Sequence, residues 1–305
     1  MDFEFFFQQI VNGLTLGSVY ALIALGYSMV YGILKLLNFA HGEVYMIGAY
    51  IGFFVLTSLG GPSDPVLPVV LLLPLMFLAA AGGSGVLGVA IERYAYRPLR
   101  DAPRIAPLIS ALGVSFFLQS TALLLFGARF RSYGTFQWLG GGVDIGGVFI
   151  SYVRMLVVVS AAALMVGLTL LVSRTTLGKA MRATSFDREA AAMMGIDVDR
   201  VIVSTFLIGS ILAGIAGVMF GLVFFSVFHL MGFTAGLKGF TAAVIGGIGN
   251  IPGAMLGGLL IGLAESFSAA YISSTFQDLI VFSLLILVML FRPRGLLGRA
   301  ELQKV

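Results

Sequence analysis

Long apolar runs separated by short polar segments recur along the whole chain. Runs of the length that crosses a bilayer as a helix, about 17–25 residues, lie near 9–33, 66–91, 105–126, 150–173, 201–225 and 276–291. Their apolar positions do not alternate with polar ones as barrel strands require. Two further apolar regions, 39–59 and 238–268, are interrupted by glycine and polar residues. The pattern predicts an all-α polytopic membrane protein with about seven to nine spans, two of them broken or re-entrant.

Composition narrows this further. With 59% hydrophobic and 10% charged residues, a soluble fold is excluded. The 305 residues are read as a single transmembrane domain, 1–305, with one sizeable polar loop at 174–200. No cysteine is present, so disulfides and thiolate metal sites are excluded. The N-terminal "MDFEFFFQQIVNG" lacks the basic start of a cleavable signal, and the first span is expected to stay in the mature chain.

Charge then orients the spans. Thirteen of the 18 Lys and Arg residues fall in 92–104, 174–200 and 292–305. Short basic loops lie in the cytoplasm, so the C-terminus is expected inside. The segments near 60–65 and 127–149 fit the outside. Parity then requires everything between 226 and 275 to begin and end on the outer side. One continuous helix through 238–268 cannot do that. A re-entrant hairpin or two shorter crossings can, with "GGIGNIPG" (246–253) as the break.

A helix broken near mid-membrane exposes free N–H groups at one end and carbonyls at the other. Such irregular backbone persists only where it is buried in protein or lines a cavity. Gly246, Gly247, Gly249 and Asn250 are therefore candidate pathway residues. The competing reading is close helix packing, which the spacings Gly13–Gly17, Gly48–Gly52, Gly217–Gly221, Gly253–Gly257 and Gly258–Gly262 suit. "KLLNFAHGEVYMIGAY" (35–50) forms a second break, with Asn38, Phe39, His41, Gly42 and Glu43 between apolar runs. It stands after the first span roughly as 238–250 stands after span 201–225, a positional two-fold pseudo-repeat without residue-level similarity. Ser115 and Gln119, four apart on one helix face, are a further candidate polar lining or a pair of packing hydrogen bonds. His41 and Glu43 make a poor metal site without a third ligand. They suit either a buried relay or a wetted loop. Glu265 is a lone carboxylate in an apolar run.

The loop "RATSFDREAAAMMGIDVDR" (182–200) predicts a short helix, with Thr184 and Asp187 in a capping-box pattern and Gly195 as its stop. Glu189-Ala190-Ala191, three residues and Gly195 resemble the docking loop of ABC-importer permeases. The Ile-x-Leu-Pro tail of that motif is replaced by Thr205-Phe206-Leu207-Ile208, as in the branched-chain amino acid subfamily. "LNFAHGEVYMIGAY" (37–50), "FTAAVIGGIGNIPGAMLGGLLIGLAES" (240–266) and "RPRGLLG" (292–298) are similar to signatures of that subfamily, in order and over nearly the whole chain.

The resemblance implies a bacterial inner-membrane permease for leucine, isoleucine and valine. Its partners would be a second permease chain, more readily a different one than a second copy, two cytoplasmic ATPase subunits and a periplasmic binding protein. Arg182, Asp187, Glu189, Ala190, Ala191 and Gly195 would form the ATPase-coupling loop. The chain has no G-x-x-x-x-G-K-S/T stretch, because Gly178-Lys179 is followed by Ala180. ATP and magnesium would thus be bound by the partner subunits, with no cofactor, no enzymatic activity and no nucleic acid expected here. A urea, amide or other amino-acid permease of the same superfamily is a second reading, and an ion-coupled secondary transporter a third.

Overall fold

The computed structural model describes residues 3–100, 102–103, 105–134 and 140–298. Arg104 and the end of the C-terminal basic segment, from 299 on, lie outside the described residues.

Among the described residues the long apolar runs form seven helices long and apolar enough to cross a membrane, the last of them counted with the 3₁₀ turn Ser274–Phe276 that leads into it. They are α1 (Phe3–Leu34), α3 (Val69–Ile91), α4 (Ile105–Phe126), α5 (Tyr152–Arg174), α8 (Val198–Phe224), α10 (Ile251–Tyr271) and α11 (Gln277–Phe291). A π-turn at Glu92–Tyr96 and a 3₁₀ turn at Arg97–Leu99 extend α3. Two shorter helices, α2 (His41–Ser58) and α9 (Met231–Gly246), occupy the interrupted regions. The polar loop folds as α6 (Thr176–Phe186) and α7 (Arg188–Met193). Among the described residues four short strands, β1 (Arg131–Ser132), β2 (Gly142–Ile145), β3 (Val148–Ser151) and β4 (Ser226–Val227), pair antiparallel as β1–β4 and β2–β3. They lie at the end of the bundle away from the basic loops, outside the spans.

The core is assembled on small residues. α1 is almost wholly buried beyond its first turns, because glycines let α10 lie directly on it. A Cβ at Gly258 would come 2.4 Å from the Cα and N of Ala21, and one at Gly262 would come 2.2 Å from the Gly17 nitrogen. Gly48 meets Gly214 and Gly217 meets the Tyr45 carbonyl in the same way, joining α2 to α8. Without a hydrophobic drive between helices in lipid, such backbone approach is the main source of association. α4 and α5 turn most of their surface outward.

The two interrupted regions resolve the parity problem with two shorter elements. Region 39–59 is not broken inside. The break precedes it, and α2 runs continuously from His41. The chain leaves α1 at Lys35, in a left-handed conformation (φ 55°), and turns back into the bundle through residues 35–40. His41 then lies against Gly26 of α1 and Gly209 of α8. Gly209 is eleven residues into α8, which at 1.5 Å per residue is about 16 Å from the basic end. α8 leaves at Phe225, also at φ 55°, and residues 225–230 descend from the opposite end to start α9 at Met231. Lys35 and Phe225 are the two non-glycine residues with positive φ among those described. Each stands six residues before a buried helix start. Gly42 and Gly232, the second residue of each helix, pack on one another's carbonyls. The pairs α1–α2 and α8–α9 thus run in inverted directions about this contact. In position Lys35–Ala40 corresponds to Phe225–Leu230 rather than to the glycine-rich stretch.

Candidate functional site

The junction of α2 and α9 gathers most of the first set of candidate residues. Glu43, in the first turn of α2, is 0% exposed. Its Oε1 accepts hydrogen bonds from Ser115 Oγ (3.1 Å) and Gln119 Nε2 (2.8 Å), both on α4. Its Oε2 has no hydrogen-bond partner and points at Gly232 of α9, where a Cβ would be 2.4 Å away. Neither α2 nor α9 has a side-chain cap, since Ala40 and Leu230 occupy those positions. The positive ends of both helix dipoles therefore face this one carboxylate. His41 is buried, its ring 5.0 Å from Tyr27, which lies 6.1 Å from Phe240. Phe39 is partly buried, 6.2 Å from the same Phe240 ring. Asn38 is buried, and its Oδ1 and the Leu37 carbonyl accept from Tyr96 Oη at 3.2 and 3.1 Å. The wetted-loop reading of His41 and Glu43 does not fit this burial.

Gly246, Gly247, Gly249 and Asn250 lie elsewhere. They form the turn between α9 and α10 at the basic end of the bundle, not at half depth. Gly247 (φ 108°) and Gly249 (φ 86°) take conformations reserved for glycine. Asn250 caps α10 by accepting from Gly253 N (3.4 Å), and its Nδ2 donates to the Leu297 carbonyl (2.5 Å). Gly249 N donates to Ser28 Oγ at 2.8 Å. Leu296 N and Leu297 N donate to the Ile245 and Gly246 carbonyls at 2.8 and 3.0 Å. The glycine-rich stretch and the terminal "RPRGLLG" thus form one unit. The difference has a simple cause: α9 starts well inside the bundle, so its end reaches the basic face. Three cavities there, of about 340, 540 and 550 Å³, share Lys35 as a lining residue.

The coupling-loop residues lie on the same face. Asp187 caps α7 by accepting from Ala190 N at 3.1 Å. Thr184, expected to help cap it, belongs instead to the last turn of α6 and is buried. Gly195 (φ 80°) ends α7, with Ile196 N donating to the Ala191 carbonyl (3.1 Å). Ala191 packs inward, while Glu189, Ala190, Met193 and Met194 face outward, the two methionines 86% and 83% exposed. Arg182 is exposed and donates to the Val172 carbonyl. Arg188 reaches into the bundle and donates from Nε (3.2 Å) and Nη2 (2.7 Å) to the Ile33 carbonyl, two residues before the Lys35 break. Burial, and the nearby Arg100 charge, lower the pKa of this guanidinium. Arg97 and Arg100 both pair with Asp199 at the start of α8, and Arg100 also pairs with buried Glu92.

This arrangement of an exposed short helix beneath a bundle with buried helix starts coincides with a sequence match. A family model described as branched-chain amino acid transport system / permease component matches residues 9–290. The chain belongs to that family. The high-affinity branched-chain amino acid transport system permease protein BraD of Pseudomonas aeruginosa is 48% identical over 308 residues, 98% of each chain. The corresponding protein LivH of Escherichia coli K12 is 44% identical over 310 residues, covering 100% of this chain and 99% of its own. A second permease protein of such a system, LivM of Salmonella typhimurium, is 27% identical over 304 residues, 93% of this chain and 68% of its own.

Two features of this permease component escaped the sequence reading. The descent 225–230, "FSVFHL", carries no glycine, so nothing in it signals a left-handed residue. Lys238 of α9 was not assigned a role. Its Nζ pairs with Glu265 Oε1 of α10 and Asp278 Oδ1 of α11, each at 2.8 Å. A lone Lys beside a lone Glu, 27 positions apart in otherwise apolar helices, is the signal that was available. Among the described residues no group of three or more His, Cys, Asp or Glu could hold a metal.

Proposed function

We propose that this chain is a membrane-spanning subunit of an ATP-driven importer of branched-chain amino acids, and that it transports without catalysing a reaction of its own. The observation that carries the reading is α7. It is a short capped helix at the basic end, with Glu189, Ala190, Met193 and Met194 turned outward and Arg188 tied to the end of α1. An apolar, exposed face rimmed by charge fits a protein cleft. The positive-inside rule puts this end, and with it the C-terminus, in the bacterial cytoplasm. Two ATPase subunits, binding ATP and magnesium, would grip α7 and its counterpart on a second permease chain. A LivM-like chain is the natural second permease, given the similarity between this chain and LivM. A periplasmic binding protein would deliver the amino acid at the opposite end.

The substrate would pass the α2–α9 junction, bounded by Asn38, Phe39, His41, Gly42, Glu43, Ser115 and Gln119. It would leave through the cavity lined by Tyr31, Lys35, Leu37, Phe240, Val244 and Ile248. Gly246, Gly247, Gly249 and Asn250 would then shape the exit and clamp the C-terminal segment. The test is leucine uptake by the reconstituted complex, with Glu189→Lys beside wild type. Reversing a charge on the docking face should lower ATP-dependent uptake by roughly tenfold or more, the effect of a like charge inside an interface, while the bundle stays folded. Leucine uptake by this chain alone under an ion gradient would refute the reading.

A further inference from the structure

We propose that Glu43 is the acceptor for the ammonium group of the transported amino acid, and that the first turn of α9 receives its carboxylate. This rests on the importer reading above and adds the recognising atoms. Glu43 is a wholly buried carboxylate held on one side by two neutral donors, Ser115 and Gln119. Among the described residues it has no ion-pair partner. Its second oxygen is unpaired and aimed at Gly232. Glu92 and Glu265 also leave one oxygen unpaired, but each has an Arg or Lys partner; Glu43 has none among the described residues, and a buried charge without a counter-charge is costly. A primary ammonium supplies both the counter-charge and the donor that this oxygen lacks.

The rest of a zwitterion is matched by what surrounds that oxygen. Met231 N, the first of α9, donates to the Phe228 carbonyl (3.2 Å), Leu230 offers no side-chain cap, and the N–H groups of Gly232 and Phe233 come before the helix's own ladder begins. They form an anion-accepting end beside the ammonium acceptor. Gly232 lets the start of α9 come right up to this oxygen, since a side chain there would meet Glu43 Oε2 and the Gly42 carbonyl. Towards the basic end, Tyr27, Phe240 and Phe39 supply an aromatic wall for an apolar side chain. The contact lies where two helix pairs of inverted direction meet, and buried helix starts at such interfaces are where transporters hold their cargo.

The complete complex, with both permease chains, ATPases and binding protein, distinguishes this from a packing role through leucine imported per ATP hydrolysed. Loss of folded protein alone leaves that ratio unchanged. Glu43→Gln should lower it by roughly tenfold or more, the effect of losing one charge-assisted contact. Glu43→Asp should recover part of it. A wild-type ratio in Glu43→Gln overturns the assignment. Should Glu43→Gln fail to assemble, Ser115→Ala, which loosens the carboxylate without removing it, should still lower the ratio several-fold. An unchanged ratio there overturns the assignment equally. If wild type imports no branched-chain amino acid with ATP and binding protein, the importer reading falls and this assignment falls with it.

Discussion

Gly258→Val is expected to leave no folded permease in a detergent extract, while Gly113→Val and Gly167→Val accumulate like wild type. All three put the same side chain in the middle of an apolar helix, so propensity and hydropathy do not separate them. What separates them is the neighbour. A Cβ at Gly258 would sit 2.4 Å from two backbone atoms of Ala21, whereas nothing lies within 4 Å of one at Gly113 or Gly167. Backbone cannot change rotamer to make room. The α1–α10 pair must separate, and with it the contacts at Gly13, Gly17 and Gly262. Overpacking usually costs about 1–3 kcal/mol where side chains can yield, and a forced separation of two central helices exceeds that. Gel-filtration yield of the three variants, expressed in parallel, decides it. Accumulation of Gly258→Val at wild-type level would show that the contact is dispensable.

Lys238→Met is the second large effect. The ammonium is 12% exposed and bridges a buried carboxylate, Glu265 at 8%, and a more exposed one, Asp278 at 64%. Removing one partner of a buried pair leaves an uncompensated charge, at about 3–5 kcal/mol. Nearly all of this arises at Glu265, because water already solvates Asp278. The double variant Lys238→Met/Glu265→Leu removes both charges and should regain most of the loss. The two denaturation midpoints, measured in the same mixed micelles, test this. If the double variant is no more stable than the single one, the pair contributes through something other than charge. The role of the cluster follows from its place. It ties α9, which has no full-length crossing of its own, to two helices that do.

The spans were legible because length and hydropathy suffice for them. The run 105–126 became α4 with the same bounds, and 201–225 differs from α8 by a few residues at its start. Parity of charge correctly demanded two elements between 226 and 275. It could not say at what depth the first begins, because depth is set by which backbones touch, and a glycine in sequence does not name its neighbour. That is why "GGIGNIPG" was expected inside the membrane and stands at its edge. Ser115 and Gln119 were recognised as one face of α4, but their common partner Glu43 lies 72 and 76 positions away. No local period records such a distance. Asp187 rather than Thr184 caps α7 for a smaller reason of the same kind. α6 continues through Thr184, and its extent depends on packing against the bundle.

In the proposed transport cycle the two inward-turning segments would act as a pair of doors with separate keepers. Residues 35–40 close the junction from the basic end, and their hinge is tied to the α7 helix by the Arg188–Ile33 bond. Residues 225–230 close it from the other end. They are tied to the loops there by the pairing of Ser132 with Ser226 and by the bond from Tyr133 N to the Phe225 carbonyl. A push on α7 and a landing on the opposite loops would therefore enter the bundle as distinct inputs, as in a canal lock whose gates are worked by separate crews. The helices that trail them, α2 and α9, rest on each other where Gly42 meets Gly232 and Gly236, and Tyr133 Oη also donates to the Ala49 carbonyl of α2. Movement of one segment would reach the other through those contacts.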